Sequence, residues 1–142
     1  MTNQVDANFL ALLEGDQEKL KAHKKTHDKE FHHDFVAFID KYISSHGLIR
    51  EFIISKANLT NYGYRILNGT KHTKNRNIIL RICIAMKMNL EDTQEALKCY
   101  DMRLLDKEFY LDKIIMTGIE AHKDALDIEA WLCKAGEVSL YV

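Results

Sequence analysis

The chain has 142 residues, enough for one folded domain, and its 46% hydrophobic and 29% charged residues are typical of a globular protein. No apolar run approaches the ~18 residues that a membrane helix requires. The opening segment MTNQVDANFL lacks the basic and apolar regions of a secretory signal. We therefore expect a cytoplasmic protein that makes no membrane contact.

Charge is distributed unevenly along the chain. Residues 41–87 carry nine Lys and Arg side chains against one acid, Glu51, whereas residues 1–40 have a net charge of −3 and residues 88–142 one of −6. A basic middle segment between acidic ends suits a polyanionic partner. The acidic ends leave open a basic partner.

The N-terminal part of the chain predicts helices of two kinds. The segment 5–30 indicates one helix, or two with a break at Gly15–Asp16, and its polar second half reads as a solvated linker. The segment HHDFVAFIDKYISSHG has apolar residues at helical spacing and a stop signal at Gly47. Its apolar positions are Phe35, Phe38, Ile39, Tyr42 and Ile43.

Four further segments read as helix. LIREFIISKAN (48–58) predicts a short helix whose apolar face contains Ile49, Phe52, Ile53 and Ala57. TNYGYRILNG (60–69) has the N-cap residue Thr60 and ends in the stop signal Asn-Gly. TKNRNIILRICIAMKM (73–88) and NLEDTQEALKCYDM (89–102) follow, and an internal echo between 78–105 and 114–140 indicates two copies of a helical hairpin.

Metal and nucleophile chemistry find little support in the sequence. His23 and His27 have the i, i+4 spacing of zinc ligands, with His32 and His33 nearby, but no cysteine or carboxylate pair lies in register with them. The three cysteines, Cys83, Cys99 and Cys133, occupy apolar helical positions and read as reduced core residues. No nucleophile signature or Gly-rich phosphate loop is present. We predict no metal, no cofactor and no enzymatic activity.

Two motifs carry a resemblance to a known family. YGYRILNGTK (62–71) and NLEDTQEALK (89–98), together with the tail from Asp112 to Leu140, resemble the phage-repressor-like (XRE-type) helix-turn-helix transcriptional regulators over about residues 33–140. The resemblance implies an all-α fold with a lambda-repressor-like five-helix DNA-binding core, an extra N-terminal helix and a C-terminal helical hairpin. The corresponding division is an N-terminal helical extension and linker (1–31), a helix-turn-helix domain (32–104) and a packed C-terminal helical extension (105–142).

The resemblance also implies a recognition helix at 60–67. The N-terminal side chains of such a helix meet base edges in the major groove. Gly63 costs about 1 kcal/mol in a helix interior relative to Ala, so we expect a close approach there, to the preceding helix or to DNA. One of Tyr62 and Tyr64 is expected to pack against the core. The implied base-reading residues are Thr60, Asn61, Tyr62, Tyr64 and Arg65; the implied phosphate-binding residues are Arg50, Lys56, Lys71, Lys74 and Arg76.

Two functions follow as expectations. The first is a sequence-specific transcriptional regulator that binds double-stranded DNA as a homodimer. The second is a protein-interaction module on the same fold, such as an antitoxin or an inhibitor of a nucleic-acid-handling machine, with a protein as partner. Exposure of one basic face would favour the first. The candidate dimer surfaces are the first helix (Phe9, Leu10, Leu13) and the tail (Trp131, Leu132, Leu140, Tyr141, Val142).

Overall fold

The structure is a computed structural model that describes residues 4–142, and for residues 28–32 it describes the backbone alone. The described residues form eight α-helices and contain no β-strand, so the all-α prediction is confirmed. The helices are α1 (Ala7–Glu14), α2 (Gln17–His46), α3 (Arg50–Lys56), α4 (Asn61–Asn68), α5 (Arg76–Ala85), α6 (Leu90–Cys99), α7 (Tyr110–Glu120) and α8 (Ala125–Lys134).

The longest helix, α2, corrects the predicted linker. It runs unbroken for 30 residues from the cap Asp16, whose carboxylate accepts a hydrogen bond from the Glu18 amide, to Gly47 in the left-handed conformation. Its sequence contains no glycine or proline, and its polar first half is rich in lysine, which favours helix. The predicted domain boundary at residues 31 and 32 therefore falls inside a helix.

The core is built around α5, which packs against α3, α6 and α8. Six consecutive residues of α5, from Ile79 to Ile84, are buried. The second half of α2 contributes Phe35 and Ile39, which are fully buried, and packs against α4 and α6. This core fixes the positions of α3 and α4 relative to the second half of α2.

The short helix α3 has a different buried face from the predicted one. Ile53, Ile54 and Ala57 are buried, whereas Ile49 and Phe52 are exposed. Ile49 precedes the helix as its N-cap and so does not continue the helical face. Ile54 takes the inward position because it packs beneath Gly63 of α4.

One turn geometry follows four of the described helices: after α6 it occurs at Asp101 (φ 55°), and in the other three cases it joins a helix directly to the next. Asn58, Lys87 and His122 each have a left-handed φ of 56–58° and connect α3 to α4, α5 to α6 and α7 to α8. The last two pairs correspond to the echoed hairpins. This turn therefore does not by itself distinguish α3–α4 as a nucleic-acid-binding unit. In each of these three turns a backbone amide donates a hydrogen bond to the carbonyl five residues earlier. The pairs are Leu59 to Ile54, Met88 to Cys83 and Lys123 to Gly118.

A buried carboxylate joins the C-terminal helices to α5. Asp112 of α7 is fully buried, and its oxygens accept hydrogen bonds from Arg76, Arg103 and the Asp106 amide. Burial by itself would raise the pKa of Asp112, but these hydrogen bonds and the two guanidinium charges outweigh it and lower the pKa. The Asp112 cluster (Asp112, Arg76, Arg103) therefore stays ionised at neutral pH.

Part of the tail that was a candidate dimer surface packs within the chain. Leu132 and Leu140 are buried, and the Glu129 carboxylate accepts hydrogen bonds from the Ser139 hydroxyl and the Leu140 amide at 2.7 and 2.8 Å. The Tyr141 ring lies 4.9 Å from the guanidinium of Arg81.

The first helix, α1, buries none of its residues. Leu10 and Leu13 are 42% and 54% exposed. Phe9 packs against His23 of α2 with ring centroids 5.4 Å apart. Among the described helices, none combines the length and apolar character that crossing a bilayer requires.

Candidate nucleic-acid interface

The position of α4 depends on Gly63. A Cβ at this residue would lie 2.7 Å from the Ile54 side chain and 2.8 Å from the Leu59 Cβ, so only glycine lets α4 approach α3 this closely. The expected close approach is therefore to the preceding helix and its turn. Gly69, with φ of 81°, ends α4 in the left-handed conformation.

Four of the five predicted base-reading residues are exposed. Thr60, Asn61, Tyr62 and Arg65 lie at the surface, and Thr60 makes no side-chain capping hydrogen bond. Tyr64 is half-buried and packs against the core, as expected for one of the two tyrosines. Tyr64 is therefore less exposed than the other four residues.

The segment that follows α4, residues 70–75, is here called the basic loop. Two tyrosines fix it in place. The Tyr62 hydroxyl donates a hydrogen bond to the His72 carbonyl at 3.3 Å, and the Tyr100 hydroxyl accepts one from the Thr73 amide at 2.9 Å. The Tyr100 ring stacks on His72 with centroids 4.8 Å apart. Burial raises the pKa of Tyr100 to about 12, so the hydroxyl keeps its proton at neutral pH. The loop is thereby held next to the N-terminal end of α4.

A third contact ties the loop to the other end of α4. The Lys71 amide donates to the Arg65 carbonyl at 3.1 Å, while the Lys71 side chain is exposed. Lys74 is also exposed. Because the loop backbone is fixed at several points, its lysines emerge from an ordered segment. Sequence reasoning missed Tyr100, since a tyrosine at a helix end reads as ordinary core.

The predicted phosphate-binding residues divide into two groups. Lys56, Lys71 and Lys74 are exposed. Arg50 is half-exposed and pairs with Asp40 of α2. Arg76 does not lie at the surface: its side chain is 15% exposed and its guanidinium binds both oxygens of Asp112, at 2.6 and 3.2 Å. This corrects the prediction for Arg76, whose charge is used to hold α7.

A groove of about 400 Å³ lies beside the basic loop. One wall is formed by Lys24 and His27, which belong to residues 17–27 of α2, here called the α2 arm. The other wall comes from the basic loop and the end of α6, and includes Lys74 and Asp101. Sequence reasoning missed this side of the site because it treated the α2 arm as a linker.

The charge of the α3–α4 region sets it apart from the other two helical pairs. Residues 50–75 contain one acid, Glu51, and five cations, whereas residues 76–99 contain three acids and four cations and residues 110–134 contain five acids and three lysines. The cations of residues 50–75 are Arg50, Lys56, Arg65, Lys71 and Lys74.

Among the described side chains no group of three metal-ligating residues comes together, and the side chain of His32 lies outside the described residues. Cys83 is buried, and burial raises its pKa to about 12. Cys99 is half-buried and packs against the core, whereas Cys133 is exposed, so the prediction of three core cysteines was wrong for Cys133.

No protein-family model matches the chain, and searches of curated proteins and of solved structures gave no significant match.

Proposed function

We propose that the protein is a cytoplasmic, sequence-specific DNA-binding transcriptional regulator of the phage-repressor-like type. The recognition helix is α4, and α2 to α6 form the lambda-repressor-like core. One observation carries the proposal: the exposed N-terminal end of α4 is hydrogen-bonded to a basic loop through Tyr62 and His72. A reading helix next to an ordered cationic loop is the combination that a duplex requires.

Each exposed side chain has a distinct role in this proposal. Asn61, in the first turn of α4, presents an amide that can pair with adenine, and Arg65 presents a guanidinium suited to guanine. Lys71 and Lys74 contact backbone phosphates from the basic loop, and Lys56 does so from the end of α3. Thr60 contributes a hydroxyl at the helix N-terminus, and Tyr62 positions the loop.

The proposed DNA-binding form is a homodimer. Two half-sites one helical turn apart, about 34–36 Å, supply affinity that a single reading helix lacks. Of the two candidate surfaces we propose α1, because Leu10 and Leu13 are both exposed, whereas in the tail Leu132 and Leu140 are buried and Val142 is exposed.

The test is binding to random-sequence duplex DNA across a salt series, followed by selection of enriched sequences. We expect binding that weakens steeply with salt and a palindromic enriched site. No binding at the lowest salt concentration would contradict the proposal.

A second surface favours the alternative, a protein-interaction module. A groove of about 820 Å³ between α6 and α7 is lined by the apolar residues Leu90, Leu104 and Ile119 and by three glutamates and one lysine, Lys98. Such a groove suits a basic amphipathic segment of another protein. Titration with a labelled basic amphipathic peptide tests it: saturable binding that Glu91→Lys and Glu95→Lys abolish would support the alternative.

A further inference from the structure

We infer that the groove between the α2 arm and the basic loop binds a phosphate group of the DNA backbone, with Lys24 and Lys74 as its two cationic walls. The inference rests on the proposed function and extends it to a part of the chain outside the helix-turn-helix motif. Lys24 and Lys74 are 50 positions apart in sequence, and the fold brings them to one groove of about 400 Å³.

The groove has a cationic lining. Two lysines and a single carboxylate, Asp101, line it together with the polar side chains of His27, His72, Thr73 and Tyr100. The two lysines alone suffice for the inference. An anion bound in the groove is attracted by both lysine charges, and a phosphodiester is the anion that the neighbouring reading helix would deliver.

Both walls of the groove are anchored. The α2 arm is continuous with the part of α2 that buries Phe35 and Ile39, and Lys24 lies roughly 16 Å along the helix axis from Phe35. The opposite wall is fixed by the hydrogen bond between Tyr100 and Thr73. Because neither wall must become ordered on binding, the groove is preorganised for its ligand.

The primary test compares DNA affinity across a salt series for the wild-type chain and Lys24→Ala. We expect Lys24→Ala to weaken binding to all sequences and to reduce the salt slope by about 0.9, the value for one phosphate contact. Lys25→Ala is the matched control, since Lys25 is the next residue, equally charged and exposed, and is not part of the groove lining. A Lys24→Ala variant that behaves like the wild type would overturn the inference.

Two further variants sharpen the result. Lys24→Ala and Lys74→Ala combined should reduce affinity by less than the product of the two single losses, because both lysines serve one phosphate. Asp101→Asn should strengthen binding at low salt by removing the one carboxylate, and asparagine tolerates the left-handed backbone of this position, φ 55°. Fully multiplicative losses, or no gain from Asp101→Asn, would contradict a shared site.

The outcomes separate this inference from the proposed function. If the wild-type chain does not bind DNA, both fail. If it binds and the Lys24→Ala slope is unchanged, only the groove inference fails. Inorganic phosphate, added at constant ionic strength and followed by the amide resonances of residues 72–74, distinguishes the source of the anion. If phosphate shifts these amide resonances while Lys24→Ala leaves DNA binding unchanged, the groove binds free phosphate and the proposed DNA contact is wrong.

Discussion

Gly63 is the residue whose size sets the distance between α3 and α4. Gly63→Ala would gain about 1 kcal/mol of helix propensity. It would also place a Cβ 2.8 Å from the Cβ of Leu59, an atom that cannot rotate away, and such overpacking typically costs about 1–3 kcal/mol. We expect net destabilisation, measured as a lower midpoint of urea unfolding.

A second substitution tests the cause of that loss. The other close contact of the added Cβ is the Cδ1 of Ile54, which Ile54→Val removes. The double variant should therefore lose less stability than the two single variants added together. Additive losses would show that the contact with Ile54 does not limit the approach of α4.

Asp112 matters at the scale of elements, because it joins α7 to the start of α5. Its pKa in the folded chain is below the unfolded value near 3.8, so the stability it provides is present above that pH and is lost as the pH falls through the folded pKa. Asp112→Ala should lower the unfolding free energy at pH 7 by roughly 3–5 kcal/mol, since it leaves a buried guanidinium unpaired. It should also flatten the acid limb of the stability profile.

The matched control is Asp106→Ala, which removes an exposed carboxylate six residues away that accepts a hydrogen bond from the Glu108 amide. We expect it to cost about 1 kcal/mol. Equal losses for the two variants would mean that Asp112 acts as an ordinary surface charge.

Local signals explain which elements the sequence predicted. Gly47 and Gly69 end helices as expected, and the Asn89 side chain caps α6 by accepting a hydrogen bond from the Asp92 amide. Contacts between residues far apart in the sequence gave no such signal. Arg76 binds a carboxylate 36 residues away, but because it lies in a basic segment we predicted an exposed, phosphate-binding side chain. The first half of α2 was missed because a polar helix and a polar linker have the same composition.

The same limit applies to the candidate site. Exposure of Asn61 and Lys74 follows from their polarity, so they were predictable. The role of Tyr100 in fixing the basic loop, and the meeting of Lys24 with Lys74, depend on tertiary packing. Which of Tyr62 and Tyr64 is half-buried depends on the rotation of α4, whose Gly63 faces Ile54 of α3.

At the scale of the whole molecule, α1 is the element that a second copy would cover. Replacing both Leu10 and Leu13 with Glu should convert a dimer to a monomer, because charges cannot be buried unpaired at an apolar interface. Sedimentation equilibrium measures this directly. Leu126→Glu is the control, since Leu126 is also an exposed leucine, on α8. A wild-type chain that is monomeric at tens of micromolar would contradict a dimer through α1.

The most direct test of the central claim compares Asn61→Ala and Lys74→Ala on the selected duplex and on random duplex. We predict that Asn61→Ala loses roughly 1–3 kcal/mol on the selected site alone, because it removes a base contact. Lys74→Ala should weaken binding to both duplexes and reduce the salt slope by about one counterion. Equal losses on both duplexes for both variants would contradict the assignment of base reading to α4 and phosphate binding to the basic loop.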